Sequence, residues 1–355
     1  MNDNKALIAM SGGVDSSVAA YLTIREGFSC MGATMRLFDG EDSTCCSLEA
    51  VEDARSVAHK LGMPFYVFNF TEDFTKQVID DFAACYEQGL TPNPCIRCNR
   101  HLKFSRFLDR ALILGCAYIV TGHYARIEDD PDTGRCLLYK ALDSAKDQSY
   151  FLYALTQEQL KHIRFPLGSL TKEQVRSIAL EQDFINARKR DSQDICFVPD
   201  GDYLAFLQRY TKKLYPAGDF LDLDGKVVGR HNGAAGYTLG QRKGLGLAMG
   251  EPVYVCSKDM ARNTVTVGPS EALFHTTLLA NDWFFFPFSA LTEPICVKAK
   301  ARSRMTEQPA TVYPEGNGVC RVIFDQPQRA ITPGQAVVLY DGDLVVGGGT
   351  ITEVL

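Results

Sequence analysis

Over the first third of the chain, short apolar runs alternate with stretches of helical periodicity. Ala6 to Met10, Cys30 to Met35, Phe65 to Phe70 and Cys116 to Thr121 read as strands. Between them, Ser16 to Glu26 and Leu48 to Leu61 read as helices. In the second, Val51, Ala54, Ala58 and Leu61 share one face and Gly62 closes the helix. Strands alternating with helices predict an α/β fold, a doubly wound parallel sheet covered on both faces. The stretch from Pro199 to Gly218 is punctuated by Pro and Gly, and after it glycine becomes frequent while helical periodicity fades. We place a boundary near residue 205. From about Thr277, β-rich runs such as Ile295 to Ala301, Gly318 to Phe324 and Ala336 to Tyr340 are separated by turn residues, which predicts a small C-terminal β-barrel. The expected units are therefore 1–204, a central domain at 205–276, and a barrel at 277–355.

The length of 355 residues and a 46% hydrophobic content suffice for two or three cores. No basic flank precedes a long apolar run near Met1, and no run of about 18 apolar residues occurs anywhere, so a cytoplasmic protein without a membrane partner is expected. In that compartment the 12 cysteines should mostly be thiols, and only clustered ones need a chemical explanation. A net charge of -6 excludes coating of nucleic acid by bulk electrostatics. Any RNA partner needs local basic patches.

Ser11-Gly12-Gly13-Val14-Asp15-Ser16-Ser17 lies between the first predicted strand and the first predicted helix. Glycines let the backbone approach an anion, and N–H groups at a helix start, with Ser hydroxyls, bind phosphate oxygens. The loop has no Gly-Lys-Ser/Thr ending, so simple γ-phosphate cleavage does not suit it. A plain strand-to-helix turn is the bland alternative. Ser-Gly-Gly-x-Asp-Ser after a first strand resembles the PP-loop ATP pyrophosphatases, which attach AMP to a substrate oxygen and release pyrophosphate.

Thr91-Pro92-Asn93-Pro94-Cys95-Ile96-Arg97-Cys98-Asn99 reads as a polar loop before a helix that begins near His101. Cys98, flanked by Arg97 and Arg100 near a helix N-terminus, has neighbours that favour the thiolate. Half a zinc site, or a pair of inert thiols, is the alternative. Cys196, in Asp191-Ser192-Gln193-Asp194-Ile195-Cys196-Phe197, is the best distant partner, although a lone cysteine is more often a buried hydrophobe. The Cys45-Cys46 pair has no explanation.

Further strings make the resemblance specific: Thr121-Gly122-His123-Tyr124, Lys146-Asp147-Gln148-Ser149-Tyr150-Phe151-Leu152, Leu239-Gly240-Gln241-Arg242-Lys243-Gly244-Leu245-Gly246, Thr332-Pro333-Gly334-Gln335 and Gly347-Gly348-Gly349. With the loop and the cysteine segments, they follow the order found in tRNA-specific 2-thiouridylases, and the similarity spans the whole chain. The resemblance implies that ATP, with Mg2+, adenylates the C2 oxygen of the wobble uridine. It implies that Cys196 bears a persulfide and that Cys98 is the nucleophile that ends disulfide-bonded to it. Ala9, Met10, Ser11, Gly12, Gly13, Val14, Asp15, Ser16, Met35 and Gly122 carry over as ATP contacts. Asn93, Pro94 and Cys95 carry over as the lining of the flipped base. His123, Lys146, Asp147, Gln148, Arg302, Ser303 and Gln335 take the family's tRNA-contact positions.

The implied partners are tRNAs for Lys, Glu and Gln and a persulfide donor such as a cysteine desulfurase or sulfur-relay protein. Cys95 replaces an aspartate common in the family, and Cys95, Cys98 and Cys196 could instead hold an iron-sulfur cluster. Lys298, Lys300, Arg302 and Arg304 alternate with small residues, so a strand would place all four on one face as a phosphate-binding row. The aromatic run from Trp283 to Phe288 suits a β-domain core or edge. Gly244 to Gly250 lacks the spacing of a dinucleotide fingerprint. Two other readings are an adenylating synthetase that transfers nitrogen and a non-enzymatic metal or sulfur carrier. The first leaves Cys98 and Cys196 without a role, and the second leaves the ATP loop idle.

Overall fold

In the computed structural model, residues 2–38, 47–190 and 195–355 are described. The chain opens with strands β1 (Asn2–Ala9), β2 (Ser29–Arg36), β3 (Phe65–Asn69) and β4 (Cys116–Val120). A hairpin of β5 (Arg126–Asp129) and β6 (Cys136–Tyr139) precedes the short β7 (Ile163–Arg164). Sheet order is β3-β2-β1-β4-β7, with every pairing parallel. Alternate residues of β1 face opposite cores. Leu7 and Ala9 join one cluster, while Ala6, Ile8 and Met10 join another with Val18, Ala54 and Val57. This two-sided burial defines a doubly wound sheet, as the alternating pattern predicts. The chain reverses direction across the sheet between β1 and β4, which is where such sheets bind ligands.

Helix α1 (Val14–Arg25) follows β1, and α2 (Leu48–Lys60) follows β2. Gly62, at φ +69°, ends α2: its N–H donates to His59 O and that of Met63 to Ala58 O, both at about 3 Å. Segments Thr71–Phe74, Thr75–Ile79 and Asp80–Glu87 run on as one helix whose middle part is π-wound. A second such run joins Pro94–Cys98, Asn99–Arg106 and Phe107–Ile113.

The stretch around residues 199–218 is not merely a linker. It holds a helix, Tyr203–Thr211, capped by the Asp202 carboxylate on Ala205 N at 2.9 Å and ended by Lys212 at φ +58°. Strands β8 (Gly218–Leu221), β9 (Val227–His231), β10 (Tyr254–Asp259) and β11 (Thr264–Gly268) then pair in the order β10-β11-β8-β9. They pack around Phe220, Val255, Val265 and Val267.

Last come β12 (Phe274–Phe285), β13 (Ile295–Lys300), β14 (Gln308–Gly316), β15 (Val319–Arg329), β16 (Ala336–Asp341) and β17 (Leu344–Val354). Antiparallel pairing in the order β12-β15-β14-β13-β16-β17 closes through β12 and β17 into a barrel. Trp283, Phe285 and Phe288 pack against its core, so the aromatic run belongs to the β-domain. The β5–β6 hairpin does not join the parallel sheet. It pairs with β17, Tyr139 opposite Leu344, and fastens the barrel to the first domain.

Candidate active site

The Ser11–Ser17 loop begins where β1 ends. Gly12 takes φ +73°, and a Cβ there would stand 2.2 Å from Ala50 O, so only glycine fits. Gly13 precedes α1, and its carbonyl accepts from the hydroxyls of Ser16 and Ser17 at 3.0 Å each. Ser11 N donates to Ser16 Oγ at 3.2 Å. Gly122, just beyond β4, lies so close to the start of α1 that a Cβ would sit 2.7 Å from Ser16 N. Met35 lies on β2, opposite Phe68 of β3.

Three residues that local spacing did not single out complete the loop. Asp15 accepts from Tyr124 Oη at 2.9 Å and from Lys172 Nζ at 2.7 and 2.8 Å. Asn186 Nδ2 donates to Gly12 O at 2.9 Å and to Ser17 Oγ at 3.0 Å. Tyr124 belongs to the Thr-Gly-His-Tyr string, but nothing in the sequence marks Lys172 or Asn186.

The cysteine segment corrects one expectation. It is helical from Pro94, not a loop running to His101: the Asn93 side chain caps Ile96 N and Pro94 occupies the first turn. Cys95 is exposed and Cys98 is buried, and three residues apart they stand on one side of the helix. The neighbouring arginines also differ from expectation. Arg97 pairs with Asp81 at 3.2 Å, and Arg100 pairs with Asp282 and lies over the Phe284 ring. Their charge is therefore largely matched by carboxylates. Cys98 belongs to the first domain's main apolar cluster, and Cys196 packs against that same cluster. Next to Cys196, the Phe197 ring meets Phe74 at 5.7 Å and Phe82 at 5.2 Å. Residues Asp191 to Asp194, and Cys45 and Cys46, lie outside the described residues.

The motif strings, far apart in sequence, meet around this helix start. Asn99 Nδ2 donates to Phe151 O at 3.0 Å, and Tyr150 Oη donates to Ala336 O at 2.8 Å. The Thr332–Gln335 turn docks on the Thr-Pro-Asn-Pro segment: Thr91 N donates to Pro333 O at 3.0 Å and Gln335 Nε2 to Thr91 O at 2.9 Å. Arg302 ties Thr332 Oγ1 to Leu239 O, the latter at 3.0 Å. The segment from Thr91 to Asn99 thus touches both Phe151 and the barrel, and Arg302 joins the barrel to the central domain.

The basic row does not exist as expected. β13 ends at Lys300, and the chain turns through 301–305, with Met305 N donating to Arg302 O. Lys300 is held near Glu307 and over Tyr340, and Arg302 points inward, where burial lowers its pKa. Only Lys298 and Arg304 are exposed, and Ser303 lies in the turn. Asp147 and Gln148 are committed within the chain, Asp147 accepting from Ala141 N and Ser149 Oγ and Gln148 accepting from Tyr124 N. Lys146 N donates to Asp143 O in the same bend. His123 Nδ1 lies 2.6 Å from Thr121 Oγ1, between the Phe104 and Phe165 rings. Burial holds its imidazole well below the usual range, and therefore neutral.

Fold and site define a PP-loop nucleotide-binding protein with a β-barrel appendage. Family models described as tRNA methyl transferase HUP domain, tRNA methyl transferase PRC-barrel domain and Aminomethyltransferase beta-barrel domain match residues 4–200, 204–269 and 275–351. The tRNA-specific 2-thiouridylase MnmA of Clostridioides difficile is 49% identical, over 99% of both chains. That of Acetivibrio thermocellus is 51% identical, over 99% of this chain and all of its own. The chain belongs to the tRNA-specific 2-thiouridylase family. A 4-thiouridine synthetase solved with RNA and ATP resembles it at a TM-score of 0.35 and 18% identity, covering 55% of this chain and 45% of its own. That likeness is too distant to carry chemistry. Among the described residues no helix is long and apolar enough to cross a membrane.

Proposed function

We propose that this chain activates the wobble uridine of tRNA with ATP and replaces its C2 oxygen by sulfur, with Cys98 and Cys196 carrying the exchange. The docking of Thr91 on the Thr332–Gln335 turn and of Asn99 on Phe151, at the two ends of the segment that holds Cys98, supports this reading in a chain of this family. The loop N–H groups and the α1 N-terminus suit the phosphates. Magnesium bound with the nucleotide would neutralise phosphate charge, and Ser16 Oγ at the start of α1 is the protein oxygen placed for it, since both Asp15 oxygens are taken by Lys172.

The uridine O2 attacks the α-phosphorus. The bond from the α-phosphorus to the bridging oxygen breaks, pyrophosphate leaves with the electron pair, and the base loses its N3 proton. The terminal sulfur of a Cys196 persulfide then bonds to C2, and AMP departs with the former carbonyl oxygen. The Cys98 thiolate bonds to Cys196 Sγ as the sulfur–sulfur bond breaks, and an external thiol reduces the resulting disulfide. A persulfide donor of the cysteine desulfurase or sulfur-relay class supplies the sulfur, and tRNAs for Lys, Glu and Gln are the substrates.

Asn93, Pro94 and Cys95 line the flipped base in this reading. His123, Lys146, Asp147, Gln148, Arg302, Ser303 and Gln335 surround the RNA path, the committed ones by shaping it. The alternative ligand set Cys95, Cys98 and Cys196 does not fit an iron-sulfur cluster as placed, since among the described residues no three such side chains gather around one point. Incubation with ATP, tRNA, a persulfide donor and a reducing thiol should yield AMP, pyrophosphate and 2-thiouridine in equal amounts, the last read by nucleoside mass spectrometry. Release of ADP and phosphate would reject the assignment.

A further inference from the structure

We infer that Asp282 of the barrel is a positioning residue for Cys98: it grips Arg100, two residues further along the same helical run, and so aims the thiol for the sulfur step. The inference rests on the Cys98 reading above. Gly347, Gly348 and Gly349, in the middle of β17, do not take the left-handed backbone angles that call for glycine, so they serve space. A Cβ at Gly347 would stand 2.2 Å from Phe284 O, one at Gly349 2.8 Å from Asn281 O and from the Trp283 ring, and one at Gly348 2.6 Å from the Tyr153 ring. The triplet therefore admits β12 at the point where its register with β17 shifts, between Asn281 and Phe284. Inside that shift Asp282 takes φ +51°, a backbone region that aspartate tolerates better than most side chains. Such irregularities re-aim side chains, and this one aims Asp282 at Arg100. Arg100 Nη1 and Nη2 both donate to the carboxylate, the second at 3.3 Å, while the Phe284 ring centre lies 4.6 Å from the guanidinium carbon.

The pair is partly exposed, Arg100 at 28% and Asp282 at 45%, so it adds little to global stability. Its place in the chain says more. Arg97 is held to Asp81 and to Gln77 O, Asn99 to Phe151 O, and Arg100 to the barrel, so the residues around Cys98 are tied to three different elements. Thr91 is tied separately, to Pro333 and Gln335. Loss of the Arg100 tether therefore loosens the Cys98 end of the segment and leaves the base-lining Asn93 end held. Adenylation uses only the latter. The sulfur step needs the Cys98 thiolate in line with Cys196 Sγ, and a misplacement of about 1 Å slows a step of that kind about a hundredfold.

The test is a single turnover with the full chain in excess over tRNA, loaded by a persulfide donor and supplied with ATP, Mg2+ and a reducing thiol. Pyrophosphate and 2-thiouridine are timed side by side, and thermal unfolding is measured alongside. Asp282→Gly, which removes the carboxylate but suits the backbone, should slow 2-thiouridine at least about tenfold and leave pyrophosphate within about twofold. Arg100→Met should do the same, and the double variant should be no slower than the slower single one, since the two side chains act as a unit. Asp282→Asn keeps the backbone angle and one acceptor for Arg100, so it should recover part of the rate. A purely structural pair would slow both products equally, or lower the melting temperature without changing their ratio; either result, or an unchanged 2-thiouridine rate, overturns the inference. Should Asp282→Gly not fold, the same ratio in Arg100→Met decides. Full 2-thiouridine formation by Cys98→Ser would instead remove the Cys98 reading and this inference with it.

Discussion

Gly122→Ala isolates the spacing between the end of β4 and the nucleotide loop. Gly122 does not occupy the left-handed region, so alanine brings no backbone strain and the effect is steric. The added Cβ would stand 2.7 Å from Ser16 N, 2.8 Å from the Asp15 carbonyl carbon and 3.0 Å from Asp15 Cβ. Carbon prefers about 3.5 Å or more, and two of these neighbours are backbone, which no rotamer change relieves. Overpacking of this kind costs about 1–3 kcal/mol. If the helix start moves away, that cost falls on the phosphate site and weakens ATP by about 5- to 150-fold. Titration calorimetry with Mg-ATP reads the loss, and circular dichroism checks the fold. ATP affinity within twofold of the unaltered chain, at unchanged stability, would show that β4 does not set the loop's position.

Cys98→Ser and Cys196→Ser should each abolish 2-thiouridine in a mass-spectrometric assay, whereas Cys95→Asp should retain it. Activity that tracks iron content and vanishes in Cys95→Asp would favour the cluster route. Lys298→Gln with Arg304→Gln should flatten the salt dependence of tRNA binding, because each lost phosphate contact removes about 0.9 from the slope, read by filter binding across a salt series. Arg302→Met should instead lower the melting temperature, since it leaves Leu239 O without this donor in a buried junction. Burial lowers the Lys258 pKa to about 8, so between pH 8 and about 10.4 the folded protein binds fewer protons there than the unfolded chain. Stability should therefore rise with pH across that window, by about 3 kcal/mol at most, and urea titrations should show this rise diminished in Lys258→Met. Burial, helped by Arg97 and Arg100, lowers the His101 pKa to about 4, so its contribution to stability is lost as pH falls from 6.5 towards 4.

Period and punctuation were enough to read β1 to β4, α1, α2 and the barrel, because each rests on local alternation and a few glycines such as Gly62. The helix start at Pro94 is also written locally, in Asn93 followed by proline, but the prolines on both sides of Asn93 give the segment the look of a loop. Lys172 and Asn186 could not be found this way. They reach the nucleotide loop from more than 150 residues away, and only tertiary packing brings them there. Arg302 shows the same limit in reverse: alternation put it on a solvent face, whereas the strand stops at Lys300 and the following turn swings it inward. The family motifs named the strings that meet, while the hydrogen bonds among Asn99, Phe151, Thr91 and Gln335 tell how they meet.

The β5–β6 hairpin has a consequence for synthesis. Its partner strand β17 leaves the ribosome about 200 residues later, a delay of about 10–40 s at bacterial to eukaryotic elongation rates. During that interval β6 carries an open edge able to pair with another nascent chain. Premature termination before residue 344 would leave the edge permanently uncovered, so truncated products of this protein are expected to associate with one another even when their parallel sheet has formed.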